Sequence, residues 1–431
     1  MLKDAITRVL SKAVLYVFCL VPCVFLNSCS EISKKTEVAK IVFLLRATPE
    51  QFSIWETVVD VFKRKNPGIE VELQNVEDRY YWSKLRTMIA GGTAPDVIFM
   101  ESYRIKAYIL HDSLEDLSPY IRRSKNIKAS DFYEESLNLY RFGDKVYGLP
   151  NDIAVYCMFY NKDIFDNYGV AYPVDDWTWE DFMEKAKKLT LDIDSDGIKD
   201  VYGYVYGHPF SSFLWIWQNN AYLTDDYLNP GRITVTSDNF VQALKFISDM
   251  RFKYNIVPGV TEMEVLNTSL FFVQGRVAMV VDGHWMVPYY KNYANFKWDV
   301  VMLPKGKQKA TLGEGSCFSI SKGSKNKRAA WRLIEFLAGE HGQKLIVKMG
   351  FSTPALKKIA ESEQYFSSKS YSEDAFIKSI PFGKCFPRTE HLAELQDAFY
   401  RLHEIVVMDK NADIGSLCEK YGKEMQEILG Q

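Results

Sequence analysis

The feature that most constrains the fold is an alternation of continuously apolar segments with capped amphipathic segments. The segment "VAKIVFLLR", residues 38–46, is apolar without alternation, which is typical of a strand buried on both faces. Thr48 then begins a capping box, with Pro49 in the first helical turn. Apolar residues follow at helical spacing: Phe52, Trp55, Val59 and Phe62. A buried strand therefore feeds a helix.

The same order of strand and helix continues along the chain. Further strands are predicted at "IEVEL" and "DVIFM", separated by an amphipathic helix over residues 81–90. In the second half, the apolar "NDIAVYCMFYNKDIF" precedes a helix in "TWEDFMEKAKKL", with Thr178 as its cap. Such alternation indicates parallel strands covered by helices on both faces. The predicted fold class is therefore α/β.

Polar and aromatic side chains follow the third predicted strand at its carboxyl end. In open parallel sheets, ligands bind in the crevice beyond the carboxyl ends of the strands. Met100, Glu101, Tyr103 and Arg104 are therefore candidates for ligand contact. The alternative is that Glu101 and Arg104 form a solvated ion pair at the start of a helix.

The first 28 residues have the layout of a secretory signal. Lys3, Arg8 and Lys12 precede an apolar stretch that is shorter than the ~20 residues needed to span a bilayer and is interrupted by Pro22. The stretch ends in "LNSC", which resembles the bacterial lipobox and predicts lipidation of Cys29. Residues 29–37 would then form a flexible tether. A retained transmembrane helix is the alternative.

Size and charge narrow the function classes. About 400 mature residues exceed what one core usually supports, so two domains are expected. Loss of the signal removes three basic groups and one acidic group and moves the net charge from −2 to −4. That charge is too mild for a nucleic-acid partner. The cysteines left in the fold show no metal-binding spacing, and we predict no cofactor: Cys157, Cys317, Cys385 and Cys418.

Eight short segments follow one another along nearly the whole mature chain: "YYWSKLRTMIAGGTAPDVIF", "YGLP", "YNKDIF", "TWEDF", "FVQGRVAMVVDGHW", "MLPKG", "SKNKRAAWRLIEFL" and "GFSTP". Their order and spacing together resemble the family 1 solute-binding proteins of ABC importers, the group that includes maltose-binding protein. The sequence departs from maltose-binding protein at Met100 and Ala154, where that protein has a tryptophan and a sugar-binding carboxylate. The identity of the sugar is therefore open.

The resemblance implies a two-lobed periplasmic-binding-protein fold of type II. Each lobe would be a mixed, mostly parallel sheet flanked by helices, with a hinged cleft between the lobes. Lobe one would hold residues 38–150 and 301–340, and lobe two residues 151–300 and 341–431. The family implies a monomer that traps its ligand in the cleft, delivers it to the membrane subunits of an ABC permease and carries out no catalysis.

A sugar site combines aromatic platforms with side chains that satisfy each buried hydroxyl. By resemblance, Trp285 would stack on a sugar ring, Asp282 lies at the same strand end, and Phe210 and Phe213 are near the sugar. The resemblance also places Asn151 and Asp152 at the crevice and Glu314 in a loop where relatives often meet ligand. The remaining candidates are Arg46 and Glu50 at the exit of the first strand, Arg388 near the end of the chain, and Trp215 on a predicted helix. For Trp215 a core position is equally open, and for each single charged residue a surface role is the alternative.

An acidic loop gives a weak calcium signal. Asp192, Asp194, Asp196 and Asp200 match ligand places of a calcium loop, but the twelfth place is Gly203 and not glutamate. A hairpin turn rich in aspartate and glycine is the preferred interpretation.

No common enzyme motif occurs in the chain: it lacks HExxH, GxSxG and the phosphate-binding GxxxxGK[ST]. The sequence therefore predicts a lipid-anchored, extracytoplasmic binding subunit of an ABC importer that takes a mono- or oligosaccharide. The alternatives are a binding protein for another polar solute, such as a glycerophosphodiester or polyamine, and a surface glycoside hydrolase.

Overall fold

The computed structural model describes residues 38–206, 209–259, 262–263, 267–348, 352–362, 365 and 371–430, apart from the side chains of Glu50, Asp78 and Phe210. The predicted signal, the tether and Cys29 lie outside the described residues. Among the helices that are described, none is both long enough and apolar enough to cross a bilayer.

The strands, in chain order, are β1 Ala39–Leu45, β2 Ile69–Asn75, β3 Val97–Glu101, β4 Arg141–Phe142, β5 Lys145–Val146, β6 Leu149–Pro150, β7 Tyr156–Asn161, β8 Tyr202–Val205, β9 Val277–Gly283, β10 Trp298–Val301, β11 Thr311–Leu312, β12 Ser316–Ile320 and β13 Gly383–Lys384. Two larger sheets contain most of them. One has the order β2-β1-β3-β12-β6, and the other has the order β10-β7-β9-β8. Two short pairs, β4 with β5 and β11 with β13, complete the set.

The α-helices, in chain order, are α1 Pro49–Lys65, α2 Asp78–Ala90, α3 Ser102–Leu110, α4 Ser118–Arg123, α5 Glu134–Asn138, α6 Lys162–Asn167, α7 Trp179–Lys188, α8 Ser212–Gln218, α9 Asp238–Phe252, α10 Thr268–Val273, α11 Val287–Tyr293, α12 Lys327–Ala338, α13 Glu340–Lys348, α14 Lys357–Ala360, α15 Asp374–Ser379, α16 Leu392–Met408 and α17 Ile414–Leu429. The capping boxes predicted at Thr48 and Thr178 are both present. Sequence therefore located the starts of α1 and α7.

Each sheet forms the centre of one lobe and is mixed, as the resemblance implied, but the expectation of mostly parallel strands was wrong because parallel strand pairings predominate in neither sheet. In the first sheet, β1 is parallel to β2 and β3, and β12 is antiparallel to β3 and β6. In the second, β7 is antiparallel to β9 and β10, and β8 is parallel to β9. The antiparallel strands follow crossings between lobes: β12 begins with Ser316 opposite Glu101, the last residue of β3. Because β12 begins at the cleft and β3 ends there, the two strands run in opposite directions.

The crossing segments lie side by side between the two sheets. Isolated bridges join Asp152 to Pro354 and Ala154 to Glu314. A Cβ atom on Gly315 would meet the backbone oxygen of Asp152 at 2.6 Å, so a glycine is needed for this close approach. The crossing thus brings Asp152 and Glu314 together, although 162 positions separate them in the sequence.

Two of the residues singled out from sequence belong to the core. Met100 is fully buried and packs in a cluster with Leu44, Tyr81 and Ile98. The prediction that Met100 lines the ligand crevice is therefore wrong. Cys157 is also fully buried. The alternation along β3 explains the contrast: the strand buries Met100, while Glu101, which ends it, lines a cavity between the lobes.

Candidate functional site

A cavity of about 520 Å³ lies where the two lobes face each other. Six of the predicted site residues line it: Arg46, Glu101, Tyr103, Asp152, Trp285 and Glu314. They come from the carboxyl ends of β1, β3 and β9 and from the crossing segments. The strand-end rule had pointed to Arg46, Glu101 and Tyr103. Trp285, Asp152 and Glu314 had been expected from the resemblance.

Arg46 and Glu101 form an ion pair across the ends of β1 and β3. The Nη2 group of Arg46 donates to Oε1 of Glu101. The Glu101 side chain is 11% exposed, and its second oxygen, Oε2, is buried without a hydrogen-bond partner among the described residues. One oxygen of this carboxylate is thus held by the protein, and the other is available to a donor in the cavity.

Glu314 connects the first lobe to the segment that follows β13. Its Oε1 oxygen accepts a hydrogen bond from the Phe386 backbone N–H at 2.9 Å, and its Oε2 oxygen pairs with the Ser102 hydroxyl. Burial raises the pKa of Glu314 to about 7, and these two hydrogen bonds oppose the rise. Glu314 can therefore exchange a proton near neutral pH.

Asp152 occupies the first crossing between the lobes. Its Oδ1 oxygen accepts the Ser316 backbone N–H at 2.7 Å, and its Oδ2 oxygen accepts from the Asn151 amide at 3.2 Å. Burial raises the pKa of Asp152 to about 6, against the effect of these donors. The carboxylate is thus fixed in place by the hinge backbone.

Trp285 forms an aromatic wall together with Tyr156. Their ring centroids are 5.3 Å apart and their planes meet at 76°. The Trp285 ring lies over Gly283, where an added Cβ would come within 2.0 Å of a ring carbon. His284 between them is held by Glu373, with 2.7 Å from Nε2 to Oε1. The orientation of Trp285 therefore depends on a glycine and on a buried polar pair.

Further polar side chains at the cavity were absent from the sequence-based site. Ser352 and Gln396 line it, and each has a buried side-chain atom without a partner in the described part of the chain: Oγ of Ser352 and Nε2 of Gln396. Arg104, a candidate from the strand-end rule, also lines it. Gln396 and Tyr400 are one turn apart on α16, and that spacing was the signal available for them. Nothing local indicates which helix faces the cleft.

Three predicted residues lie in the core or the hinge and do not line this cavity. Trp215 is 2% exposed and packs on Trp179 and Phe182, because α8 is buried on all sides. Phe213, on the same helix, packs on Phe386 and Phe399 instead. Asn151 is fully buried and donates to the Ser316 hydroxyl at 3.1 Å.

Asp282 points toward α11 and away from the cavity. Its Oδ2 oxygen accepts the hydroxyl of Tyr290 at 2.7 Å. Burial raises the pKa of Asp282 to about 7, opposed by the Tyr290 hydrogen bond. Asp282 is the penultimate residue of β9, whereas Trp285 lies in the short 3-10 helix His284–Met286 that follows the strand, so the two side chains face different surroundings.

Arg388 lines a second cavity, of about 610 Å³. Its guanidinium donates to the backbone oxygens of Asn138 at 2.7 Å and Arg141 at 3.2 Å, and it lies over the Phe142 ring. Arg388 thus holds its loop against the first lobe. The side chains of Glu50 and Phe210, also predicted at the site, lie outside the described residues.

The acidic loop gathers three of its four predicted carboxylates. Ligand atoms of Asp192, Asp194 and Asp200 lie within 4.8 Å of one another. Asp196 is not part of this group, and its Oδ1 accepts the Ile198 backbone N–H at 2.7 Å. Gly203, at the twelfth place, lies in β8, where a Cβ would meet the backbone oxygen of Ala186 at 2.1 Å. Packing therefore leaves no room for the missing glutamate.

Comparison with known proteins gives a family match over most of the chain. A family model described as bacterial extracellular solute-binding protein matches residues 46–344. The galactooligosaccharide-binding protein of Bacillus subtilis is 24% identical, over 79% of this chain and 82% of that protein. The arabinooligosaccharide-binding protein of the same species is 26% identical, over 75% of each.

Solved structures agree with the two-lobed architecture. An ABC substrate-binding protein from Listeria monocytogenes in complex with cycloalternan has a TM-score of 0.82 at 24% identity, covering 91% of this chain and 99% of that one. The sugar-binding protein MalE from Xanthomonas citri has a TM-score of 0.77 at 22% identity, covering 91% and 98%. These likenesses establish the fold around the cavity.

Proposed function

The chain belongs to the bacterial extracellular solute-binding proteins, and we propose that it captures a mono- or oligosaccharide in the interlobe cavity for delivery to an ABC permease. The family description makes the chain an extracytoplasmic binding protein. Support for a carbohydrate comes from the relatives named for galacto- and arabinooligosaccharides and from the residues of the cavity.

The observation that carries the proposal is the composition of the cavity wall. One side is the aromatic pair of Trp285 and Tyr156, which suits the C–H face of a sugar ring. Around it are buried polar atoms without partners among the described residues, including Glu101 Oε2 and Gln396 Nε2. A buried polar atom left unpaired is unfavourable by about 1 to 3 kcal/mol. A ligand ringed by hydroxyls would satisfy these atoms.

The same wall supplies a reason for closure. Glu101 and Arg46 belong to the first lobe, while Trp285 and Gln396 belong to the second. A ligand stabilises closed lobes only through contacts that it makes better in the closed than in the open state. A saccharide that reaches both walls would make such contacts and would be trapped without chemical change.

Anchoring, partners and lobe limits are part of the proposal. Cys29 would carry lipid after removal of residues 1–28, and a monomer would present the loaded lobes to the permease. Lobe one would comprise residues 38–150 and 301–340, and lobe two the remainder of the fold. Replacement of Cys29 by serine should abolish incorporation of labelled palmitate and release the protein from membranes.

A saccharide screen tests the proposal. Purified protein is incubated with neutral and acidic mono-, di- and trisaccharides, and melting temperature and sugar products are both measured. A reversible rise in melting temperature with unchanged sugar supports binding. Formation of sugar products would favour a glycoside hydrolase, and no shift with any saccharide would count against a carbohydrate ligand.

A further inference from the structure

Arg104 is a cation at the cavity wall, and no ion-pair partner for it is found in the described part of the chain. It is the third residue of α3 and lines the cavity. Its guanidinium lies over the Trp82 and Tyr103 rings, at 5.8 and 5.5 Å from their centroids. The Nε atom is buried without an acceptor, and among the described residues no carboxylate forms an ion pair with this side chain. Stacking orients the guanidinium and leaves its donors for another group.

Gln396 faces the same cavity from the other lobe. It is 5% exposed, and its Nε2 group is buried with no acceptor in the described part of the chain. Tyr400, one turn later on α16, lines the cavity as well. Burial and then the charge of Asp397 raise the pKa of Tyr400 to about 12, while the charge of Arg104 acts in the opposite direction. Arg104 is therefore within electrostatic range of this face of α16.

The other charged groups of the cavity are engaged by the protein. Arg46 pairs with Glu101, which leaves Arg46 neutralised. The carboxylate of Asp152 accepts from Ser316 and Asn151, and that of Glu314 from Phe386 and Ser102. Among the described residues that line the cavity, Arg46 thus has a carboxylate as its ion-pair partner and Arg104 has none.

We propose that Arg104 and Gln396 form a subsite for an oxyanion on the solute, so that the preferred ligand is a saccharide bearing a carboxylate or a phosphate. This inference rests on the proposed carbohydrate function and narrows its substrate class. A planar guanidinium forms charge-assisted hydrogen bonds with such oxygens, and these are about twice as strong as neutral ones. Donors on α3 and α16 would hold one group between the lobes.

Matched pairs of probes test the subsite by isothermal titration calorimetry. Digalacturonate is compared with galactobiose, and glucose 1-phosphate with glucose; glycerophosphocholine serves as an oxyanion without a sugar. We expect at least one charged sugar to bind roughly tenfold or more tightly than its neutral counterpart, from the strength of hydrogen bonds to charged groups. A preference within the galacturonate pair indicates a carboxylate ligand, and a preference within the glucose pair indicates a phosphate ligand.

Variants assign the preference to the two side chains. Arg104→Gln should abolish the preference for the charged probe, Arg104→Lys should keep part of it, and Gln396→Glu should reverse it through repulsion. The matched control is Arg122→Gln, an exposed arginine on α4 with the same loss of charge. Circular dichroism and the melting temperature of each variant without ligand report folding.

The outcomes separate this inference from the function on which it rests. Equal or tighter binding of neutral sugars, or a charge preference that Arg104→Gln leaves intact, overturns the oxyanion subsite and leaves the carbohydrate function standing. Binding of glycerophosphocholine alone, sensitive to Arg104→Gln, supports the subsite and overturns the carbohydrate. Failure of all five probes to bind counts against both.

Discussion

The rings of Trp285 and Tyr156 meet edge to face at the cavity wall, with centroids 5.3 Å apart. Tyr156 begins β7 and Trp285 follows β9, and these strands pair directly, with Tyr156 opposite Gly283. The second sheet thus builds the aromatic wall from two adjacent strand ends.

Replacement of Trp285 by alanine should weaken binding of the best saccharide from the screen. Loss of a stacked ring removes on the order of 1 to 3 kcal/mol, roughly tenfold to a hundredfold in affinity. Titration calorimetry measures the change. Trp285→Phe, which keeps a smaller ring, should lose less. An affinity unchanged in the alanine variant would remove Trp285 from the binding wall.

Gly283→Ala should displace the Trp285 ring, because the new Cβ would come within 2.0 Å of it. The backbone at Gly283 has φ −98°, which alanine adopts without strain, so the effect falls on the ring. We expect a roughly tenfold loss of affinity and altered tryptophan fluorescence, as overpacking costs about 1 to 3 kcal/mol.

Two variants serve as references for Gly283→Ala. Gly68→Ala has open space around its Cβ and should leave affinity unchanged. In a background that already carries Trp285→Ala, the Gly283→Ala change should have little further effect, because the two residues act as a unit. Additive losses would show that Gly283 acts independently of the ring.

Glu314 should make stability depend on pH in the ligand-free protein. Its pKa is raised from 4.5 to about 7, so the folded protein binds this proton more tightly than the unfolded chain. Folding then takes up a proton between those values, and the contribution of Glu314 to stability falls as pH rises from about 4.5 to about 7. Urea unfolding at several pH values across this range measures the free energy of unfolding and so shows the change.

The Glu314→Gln variant isolates the contribution of Glu314 to the pH dependence of stability. The amide can still accept the Phe386 N–H and donate to Ser102, but it cannot ionise. The variant should gain stability relative to the wild type as pH rises to 7. Glu56→Gln, at an exposed position on α1, is the reference. Parallel pH profiles for Glu314→Gln and wild type would contradict the assignment.

The acidic loop should not respond to calcium. Gly203 replaces the bidentate glutamate of a calcium loop and packs too closely on Ala186 for any side chain. The melting temperature should be the same in excess calcium and in excess chelator. A rise with calcium that Asp192→Asn removes would establish a metal site.

Strand and helix positions followed from local sequence. The capping boxes at Thr48 and Thr178 and the unbroken apolar run of β1 predicted elements that the structure contains, because capping and burial on both faces depend on neighbours in the chain. The strand-end rule placed Arg46 and Glu101 at the same edge of the sheet, because β1 and β3 are parallel and both end there. The core position of Met100 was missed, since the strand-end rule does not say which way a given side chain of β3 points.

What the sequence determined by itself was the α/β alternation, the family and the chemistry available at the strand ends. Tertiary structure decided which of these groups share a cavity. Gln396 joins Glu101 there because α16 packs against the second lobe, while Trp215 and Asn151 are turned into the core and the hinge. Such choices depend on contacts between segments hundreds of residues apart, and no local pattern encodes the direction in which a side chain finally points.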